Sequence, residues 1–407
     1  MVGWVPVYTP ETVNSEGLGL EPRLAYDFFR FLQRPHQVRS EKTPSPAQRS
    51  WTKLRTRKGR RELKGCYPSC TRQSLGGIVW NVEQPFQALA LTGGGYRGLF
   101  TARALQEMED HIGEPIGRHF DLTYGTSIGG IIALAVAFEV PMSKVVQTFV
   151  DYGEAIFPPR PQGKIAALTS LVKRYKAPQY RSETLREVVT KLIDKDATLN
   201  DVTHAVGIPA VNVTEGRPQV FKSRHKKEWT RDWKFKAVDV ALATSAAPTF
   251  FELAEVGGCL YADGGLFANA PDLLALHEAE HYFRVPCEAV RMLSVGTTTK
   301  SYSIAFSAGR QLGINEWMRD MRLFNVTISS QQQFVEQLMA HKLGARYLRV
   351  DHSPSNEQTA DLGLDVATEA ARKTLLALAA KATSDILGEK LGSYLSHVPQ
   401  MQLVREG

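Results

Sequence analysis

The chain has 407 residues, of which 43% are hydrophobic and 22% charged, and these values are typical of a soluble globular protein. Its longest apolar run, residues 128–138, is too short to cross a bilayer, which takes about 20 residues. The net charge of +7 is unevenly spread, because residues 1–80 hold 14 Lys and Arg against 6 Asp and Glu.

Residues 1–80 form a basic leader whose densest part is the run KLRTRKGRRELK at 53–64. Such a run can meet nucleic acid or anionic lipid, but we expect a solvated, poorly ordered segment. The N-terminal residues show no signal-peptide pattern. Four cysteines do not resemble a disulfide framework in a chain of this length, and the lone pair Cys66 and Cys70 does not favour zinc. We therefore expect a cytoplasmic protein without a metal.

Strand and helix patterns alternate from about residue 84 onward. Short apolar runs bounded by turn residues predict buried strands at 86–92, 119–127, 207–214, 218–223, 259–265, 289–297 and 345–351. Helical spacing of apolar residues predicts helices at 101–111, 129–138, 316–341 and 365–391. This alternation indicates an α/β fold in which a mostly parallel central sheet is covered by helices on both faces.

Three glycines stand where the first predicted strand ends and a helix begins, in the run ALALTGGGYRGLF at 88–100. Gly93, Gly95 and Gly98 satisfy G-x-G-x-x-G, the fingerprint of a dinucleotide-binding turn. That site also needs an acidic residue about 20 positions later, at the end of a second strand. The next strand here ends in a serine turn instead. We therefore favour an oxyanion loop in which Gly93, Gly94 and Gly95 present backbone N–H groups to a developing negative charge.

The run GTSIGG at 125–130 contains G-x-S-x-G, with Ser127 between Gly125 and Gly129. A nucleophilic serine must stand on a sharp strand-to-helix turn, and glycine two residues before and after it leaves the necessary clearance. The helix start behind the serine also offers free N–H groups. Because the run lies at a predicted strand end, we expect Ser127 to be a nucleophile.

The hydroxyl of Ser127 needs a base, and Asp263 is the favoured candidate. It stands in the run DGG at a predicted strand end, where the neighbouring glycines let a carboxylate approach closely. Partial desolvation would have to bring its pKa toward the working range. No histidine occupies an obvious triad position. Five histidines fall in or beside polar stretches and are expected at the surface: His111, His119, His204, His225 and His277.

Five segments, taken in order, resemble the patatin-like phospholipases. They are GGGYRG at 93–98, GTSIG at 125–129, ALATSAAPTFF at 241–251, DGG at 263–265 and LFANAP at 266–271. The resemblance implies a patatin-like domain over residues 84–390, with a three-layer α/β/α fold. It implies a calcium-independent acyl-ester hydrolase that acts on membrane phospholipids through Ser127 as nucleophile and Asp263 as base. The remaining motif residues are Arg97, Gly98, Gly125, Gly129, Gly264 and Gly265.

One position departs from the family pattern. Thr92 stands where many members have an acidic residue before the glycines. A side chain at that position should not disturb the backbone N–H donors of the loop that follows.

Longer stretches, such as HFDLTYGTSIGGIIAL at 119–134, are similar to the bacterial phospholipase effectors of cyclic-oligonucleotide anti-phage systems (CBASS). That resemblance implies a cyclic dinucleotide as allosteric activator and no other cofactor. We also expect peripheral contact with the inner membrane and a homo-oligomer in the active state. The main alternative is a housekeeping or toxin lipase that no nucleotide controls. A nucleic-acid binder with a dead hydrolase domain is disfavoured, because all three catalytic motifs are intact.

A basic and aromatic stretch, FKSRHKKEWTRDWKFK at 221–236, is the candidate ligand site. Cations meet phosphates and aromatic rings stack on bases, as binding of a cyclic dinucleotide requires. A solvated loop with two tryptophans in the core is the slightly preferred interpretation, and membrane docking is a third. The candidate ligand-binding residues are Arg224, Lys226, Lys227, Trp229 and Arg231.

Overall fold

The structure is a computed structural model that describes residues 84–159, 177–298, 301–386, 388–401 and 403–404. The leader predicted for residues 1–80, including Cys66 and Cys70, lies outside the described residues. Within these ranges, no helix combines the length and the apolar character that a membrane crossing requires.

Eight strands of the described residues form one sheet. They are β1 Phe86–Leu91, β2 Leu122–Gly125, β3 Val206–Asn212, β4 Arg217–Lys222, β5 Ala254–Val256, β6 Cys259–Asp263, β7 Val290–Val295 and β8 Tyr347–Val350. Their order is β5-β6-β3-β2-β1-β7-β8, with β4 paired to β3. The pairs β1–β2, β1–β7, β2–β3 and β7–β8 are parallel, whereas β3–β4, β3–β6 and β5–β6 are antiparallel. The sheet is therefore mixed, and the parallel arrangement expected from the sequence surrounds β1.

Helices cover both faces of this sheet. In chain order they are α1 Gly98–Ile112, α2 Ile128–Ala137, α3 Met142–Ile156, α4 Ser182–Leu192, α5 Ala237–Ser245, α6 Gly265–Ala268, α7 Asp272–His277, α8 Ile314–Met318, α9 Arg322–Leu343, α10 Asn356–Asp361, α11 Glu369–Ser384 and α12 Glu389–Leu395. Successive side chains of a strand point to opposite faces. Leu89 and Leu91 of β1 accordingly join one buried core, while Ala88 and Ala90 join a second. This is the three-layer α/β/α fold expected from the sequence.

Most predicted elements match the observed ones to within a few residues, but two predicted helices are divided, and several observed elements, among them α3, α4, α5 and β5, lie outside the predicted ranges. The helix predicted at 316–341 is divided, because Met321 has a left-handed φ of 56° between α8 and α9. The helix predicted at 365–391 is also two helices, with Gly388 capping the start of α12. Strand β5 was not predicted, because three residues are too few to show an alternating pattern.

The topology brings the predicted motifs to one edge of the sheet. Parallel strands end at the same edge, so the glycine loop after β1 lies beside the serine turn after β2. Strand β6 runs antiparallel to β3, with Asp263 opposite Ala210. The last residue of β6 therefore reaches the same edge from the opposite direction.

Candidate active site

Ser127 occupies the turn between β2 and α2 and has φ 55° and ψ −127°. A non-glycine residue rarely adopts such a backbone conformation, and its occurrence at a turn often marks a functional constraint. The surrounding space is also restricted. A Cβ atom at Gly125 would lie 2.1 Å from the Gly129 carbonyl oxygen, and one at Gly129 would lie 2.4 Å from that of Leu91. The turn therefore needs glycine at both positions, as the motif predicts.

The structure brings Ser127 and Asp263 into direct contact. The Ser127 hydroxyl donates a hydrogen bond to Asp263 Oδ2 at 2.7 Å. The other carboxylate oxygen, Oδ1, accepts the backbone N–H of Gly265 at 2.6 Å, while Gly264 fills the turn between them. Only 3% of Asp263 is exposed to solvent. One oxygen of the carboxylate is thus anchored, and the other faces the serine.

Burial raises the pKa of Asp263 from 3.8 to about 6, because a carboxylate loses hydration when it is enclosed. The hydrogen bonds from Gly265 and Ser127 act in the opposite direction but are smaller effects. The desolvation expected from the sequence is therefore present. A carboxylate with this pKa is ionised at neutral pH and is a stronger base than an exposed aspartate.

A threonine that the sequence analysis did not assign holds the turn in place. The backbone N–H of Ser127 donates to Thr244 Oγ1 at 2.9 Å, and the Thr244 hydroxyl donates to the Pro209 carbonyl oxygen at 2.6 Å. Thr244 belongs to α5, so this helix contacts the serine turn directly. Its segment, 241–251, was recognised only as similar to the family, and no local pattern identifies the threonine.

The glycine loop differs from the prediction at its first residue. The N–H of Gly93 donates to the Asn269 carbonyl oxygen at 2.9 Å, so Gly93 is not available as an oxyanion donor. Among the described residues, the N–H groups of Gly94 and Gly95 have no hydrogen-bond partner. Gly95 has a left-handed φ of 57°, and a Cβ atom there would lie 2.0 Å from the Leu364 carbonyl oxygen. The potential donors are therefore Gly94 and Gly95.

The peptide between Gly93 and Gly94 is clamped by two side chains. The Gly93 carbonyl oxygen accepts hydrogen bonds from Asn269 Nδ2 at 3.3 Å and from the Thr297 hydroxyl at 3.2 Å. A trans peptide is planar, so its C=O and its N–H point in opposite directions. Holding the Gly93 oxygen therefore fixes the direction of the Gly94 N–H.

The loop continues into helix α1. Arg97 is half-buried and donates from Nε to the Gly94 carbonyl oxygen at 3.4 Å, a long contact. Gly98 begins α1, and a Cβ atom there would lie 2.5 Å from the Ile128 side chain at the start of α2. Gly98, the last glycine of the GGGYRG run, thus lets the loop pack against the helix that follows Ser127.

Thr92 has a specific partner in place of the acidic interaction expected in many family members. Arg349 donates from Nη1 to the hydroxyls of Thr92 at 2.9 Å and Ser294 at 2.7 Å. Its Nη2 lies 2.9 Å from carboxylate oxygens of Asp351 and Glu336. These two acids balance the buried guanidinium charge, so a neutral side chain suffices at position 92.

The expectation of surface histidines is wrong for two of the five. His111 and His277 are exposed and His204 is half-buried, but His119 and His225 are buried. His225 Nε2 lies 3.2 Å from Glu278, within a buried polar cluster. In the described part of the chain, no histidine hydrogen-bonds to Ser127 or Asp263, and no cluster of His, Cys, Asp and Glu has a metal-binding arrangement.

The basic and aromatic stretch is more internally packed than its sequence suggests. The Lys222 ammonium lies between the rings of Trp229 and Tyr282, 4.5 and 4.2 Å from their centroids. The Arg224 guanidinium lies 4.8 Å from the Trp233 ring centroid. These rings are thus occupied by the chain's own cations. Among the candidate ligand residues, Trp229 and Arg224 are half-buried.

Two of the remaining three candidates are more accessible. Lys227 is exposed, and Arg231 is exposed while its Nε donates to Asp232 at 2.9 Å. Lys226 is half-buried, with its ammonium 5.5 Å from the Tyr282 ring centroid. The structure therefore separates this candidate set into packed residues and surface cations.

Comparisons with known proteins agree with the motifs. A family model described as patatin-like phospholipase matches residues 89–276. A cGAMP-activated phospholipase of Pseudomonas aeruginosa is 37% identical over 308 residues, which cover 75% of this chain and 90% of that protein. Proteins with the same name from Escherichia coli and Vibrio cholerae are 36% and 32% identical, covering 73% and 72% of this chain and 88% and 89% of theirs.

Identity of this extent over most of both chains is much stronger than a shared motif. The family model spans the segments, from Gly93 to Asp263, that build the site described above. The same relatives identify the chain as a hydrolase. It belongs to the family of patatin-like phospholipases.

Proposed function

We propose that Ser127 and Asp263 form the catalytic dyad of this phospholipase. The Asp263 carboxylate takes the proton of the Ser127 hydroxyl while Oγ attacks the acyl carbonyl carbon of a phospholipid. The N–H groups of Gly94 and Gly95 stabilise the oxyanion that forms, and such a donor is worth about 3–4 kcal/mol of barrier. The observation that carries this proposal is the 2.7 Å hydrogen bond between a strained serine and a buried carboxylate.

The second half of the reaction uses the same two residues. When the tetrahedral intermediate collapses, the protonated Asp263 gives its proton to the leaving lysophospholipid alkoxide, and the acyl group stays on Ser127. Water then attacks the acyl-enzyme and transfers a proton to Asp263. Collapse of the second intermediate releases the fatty acid, and the proton returns to Ser127 Oγ. A base with a pKa of about 6 suits both directions of this transfer.

The peptide clamp gives a prediction that separates positioning from binding. Asn269→Ala and Thr297→Val should each lower kcat by about 10- to 100-fold and change KM little, because a misdirected Gly94 N–H weakens the transition state more than the bound substrate. The matched control is Thr190→Val, whose hydroxyl donates to the Glu187 carbonyl oxygen one turn earlier in α4. Steady-state kinetics on a water-soluble ester measures both parameters. A pure increase in KM would show that the clamp binds substrate instead.

We further propose that a cyclic dinucleotide activates this enzyme in anti-phage defence, with cGAMP as the first candidate. The support is identity to three relatives that are named cGAMP-activated phospholipases. The proposal places the enzyme in the cytoplasm, on the inner membrane when active, and as a homo-oligomer in that state. The alternative is a housekeeping or toxin lipase without nucleotide control.

The surface cations suggest where such an activator would act. Lys222 pairs with Gly207 near the start of β3, so the residues after it leave the sheet at the edge opposite to Ser127. The chain then enters α5, whose Thr244 accepts the Ser127 N–H. In this proposal, a nucleotide held by Lys227 and Arg231 biases the serine turn through α5.

The test of this proposal is the rate of phospholipid hydrolysis with and without cGAMP. An activation of about 100-fold requires the ligand to prefer the active state by the same factor, about 2.7 kcal/mol. The double variant Lys227→Ala and Arg231→Ala should lose most of this activation and keep basal hydrolysis, whereas Lys381→Ala, an exposed lysine on α11, should retain it. If calorimetry finds no cGAMP binding and the rate is unchanged, the lipase without nucleotide control takes the place of this proposal.

A further inference from the structure

Four large apolar side chains are exposed within residues 301–323. The exposed fraction is 101% for Phe306, 77% for Ile314, 58% for Met318 and 53% for Leu323. We call these four residues the apolar rim. Single exposed apolar residues are ordinary on a protein surface, but this many in one short stretch usually mark an interaction site.

The local structure presents the rim outward. Phe306 begins a short 3-10 turn, Phe306–Ala308, and Ile314 and Met318 are four residues apart in α8, which places them on one face of that helix. Leu323 lies in the first turn of α9, and α8 packs against α9. The rim therefore occupies neighbouring elements at the beginning of the long helix.

Helix α9 connects the rim to the active site. Gln331 accepts the backbone N–H of Asn269 at 2.5 Å, and the buried Gln332 accepts from Asn269 Nδ2 at 3.3 Å. A Cβ atom at Gly265 would lie 3.6 Å from Ile328 Cδ1. Ile328 is five residues after Leu323, so Leu323, the rim residue on α9, lies within about two helical turns of the peptide that anchors Asp263.

The charges around the rim favour an anionic lipid surface. Residues 301–323 contain Arg310, Arg319 and Arg322 against two acidic residues, and Arg310 and Arg319 are exposed. One of the acids, Glu316, accepts the Gly313 N–H and caps α8. Apolar side chains among exposed arginines are the composition that inserts shallowly between anionic headgroups.

The size of the rim argues against a second copy of the chain as its partner. Four side chains of this kind offer on the order of 500 Å², whereas a stable protein interface takes about 800 Å² from each partner. A bilayer needs no such area, because each inserted side chain contributes independently to partition. The position of the dyad also favours a membrane as the partner of the rim. A phospholipid must leave its bilayer to reach Ser127 beside the buried Asp263.

We propose that the apolar rim docks the enzyme on an anionic bilayer and delivers phospholipid to Ser127. This inference rests on the proposed function, because it assigns the membrane approach of the same site. Docking and chemistry are nevertheless separable, since in the described chain the hydrogen bonds that hold the two side chains and the serine turn come from Thr244, Gly265 and the dyad itself and not from rim residues.

The test uses the double variant Phe306→Ser and Ile314→Ser, with Val398→Ser as the control at an exposed valine outside the rim. Binding is measured by flotation with vesicles of phosphatidylethanolamine and phosphatidylglycerol, in a Ser127→Ala background so that the vesicles survive. Activity is measured on the same vesicles and on p-nitrophenyl butyrate, a monomeric ester, each with and without cGAMP.

We expect the double variant to lose vesicle binding and vesicle hydrolysis by at least about tenfold, while its rate on the monomeric ester stays within about twofold of the unmodified protein. Unchanged flotation of the double variant would overturn the proposal. A change in its oligomeric mass by light scattering, without loss of flotation, would assign the rim to contacts between copies instead. If the unmodified protein cannot hydrolyse the monomeric ester, the proposed dyad chemistry fails, while flotation still decides the docking.

Discussion

Replacing Ser127 with alanine is expected to lower phospholipid hydrolysis by at least about 10⁴-fold while leaving the fold intact. Oγ is the attacking atom in the proposed mechanism, so its removal leaves only substrate binding and the N–H groups of the oxyanion loop. The measurement is fatty-acid release from phospholipid vesicles, with cGAMP present and absent. Far-UV circular dichroism and the thermal midpoint report whether the fold is retained.

Ser127→Gly is the matched control for this prediction. The φ of 55° and ψ of −127° at Ser127 cost a non-glycine residue about 1–3 kcal/mol. Glycine adopts such values with little strain, so the glycine variant should unfold in urea with a free energy about 1 kcal/mol above that of the alanine variant. Both variants lack Oγ and should be equally inactive. Turnover close to that of the unmodified protein in either variant would remove Ser127 from the mechanism.

The contact between Ser127 and Asp263 was expected from the sequence although the two residues are 136 positions apart. Each lies in a local pattern with a steric reason. Gly125 and Gly129 are required by close carbonyl oxygens, and the DGG turn lets a backbone N–H reach Asp263 Oδ1. Patterns of this kind can be recognised in the sequence because the close approaches leave room for glycine and not for a Cβ atom. Each pattern predicts a strand end at the same edge of the sheet.

Features that depend on distant partners could not be predicted in the same way. The Gly93 N–H donates to the carbonyl oxygen of Asn269, which lies 176 residues further along the chain. No sequence pattern near Gly93 predicts this hydrogen bond. Thr244 and Thr297 are ordinary threonines until the fold places their hydroxyls on the two loops. His225 looks like a surface residue within a run of cations. It is buried, and its Nε2 lies within hydrogen-bond distance of Glu278, whose carboxylate also pairs with Lys222.

Asp263→Asn should lower the rate of hydrolysis by about 10³- to 10⁴-fold, because the amide keeps the shape of the side chain and cannot accept the serine proton. In the unmodified protein, the rate should fall as the pH drops below about 6, where the carboxylate becomes protonated. An ordinary aspartate would show this decline near pH 3.8. The pH profile of kcat/KM on a monomeric ester measures it. If substitution of a histidine abolishes activity and Asp263→Asn does not, a catalytic triad would replace the proposed dyad.

The same substitution should stabilise the protein at neutral pH. The folded-state pKa of Asp263 lies above its unfolded value of 3.8, so its contribution to stability is fully present below that pH and is lost as the pH rises through about 6. The difference corresponds to about 3 kcal/mol. Asp263→Asn removes the buried charge and should therefore raise the unfolding free energy near pH 8 by up to about that amount, with no increase near pH 4.

Asp121→Asn is the control, because it is expected to change the free energy of unfolding in the opposite direction. The Asp121 carboxylate accepts hydrogen bonds from the backbone N–H groups of Gln87, Gln400 and Met401 and contacts His397 Nε2 at 2.7 Å. An amide cannot accept all four, so this variant should lose about 1–3 kcal/mol of stability. A loss of stability in Asp263→Asn as well would mean that the Ser127 and Gly265 hydrogen bonds outweigh desolvation. Asp263 would then lack the raised pKa on which its role as the base depends.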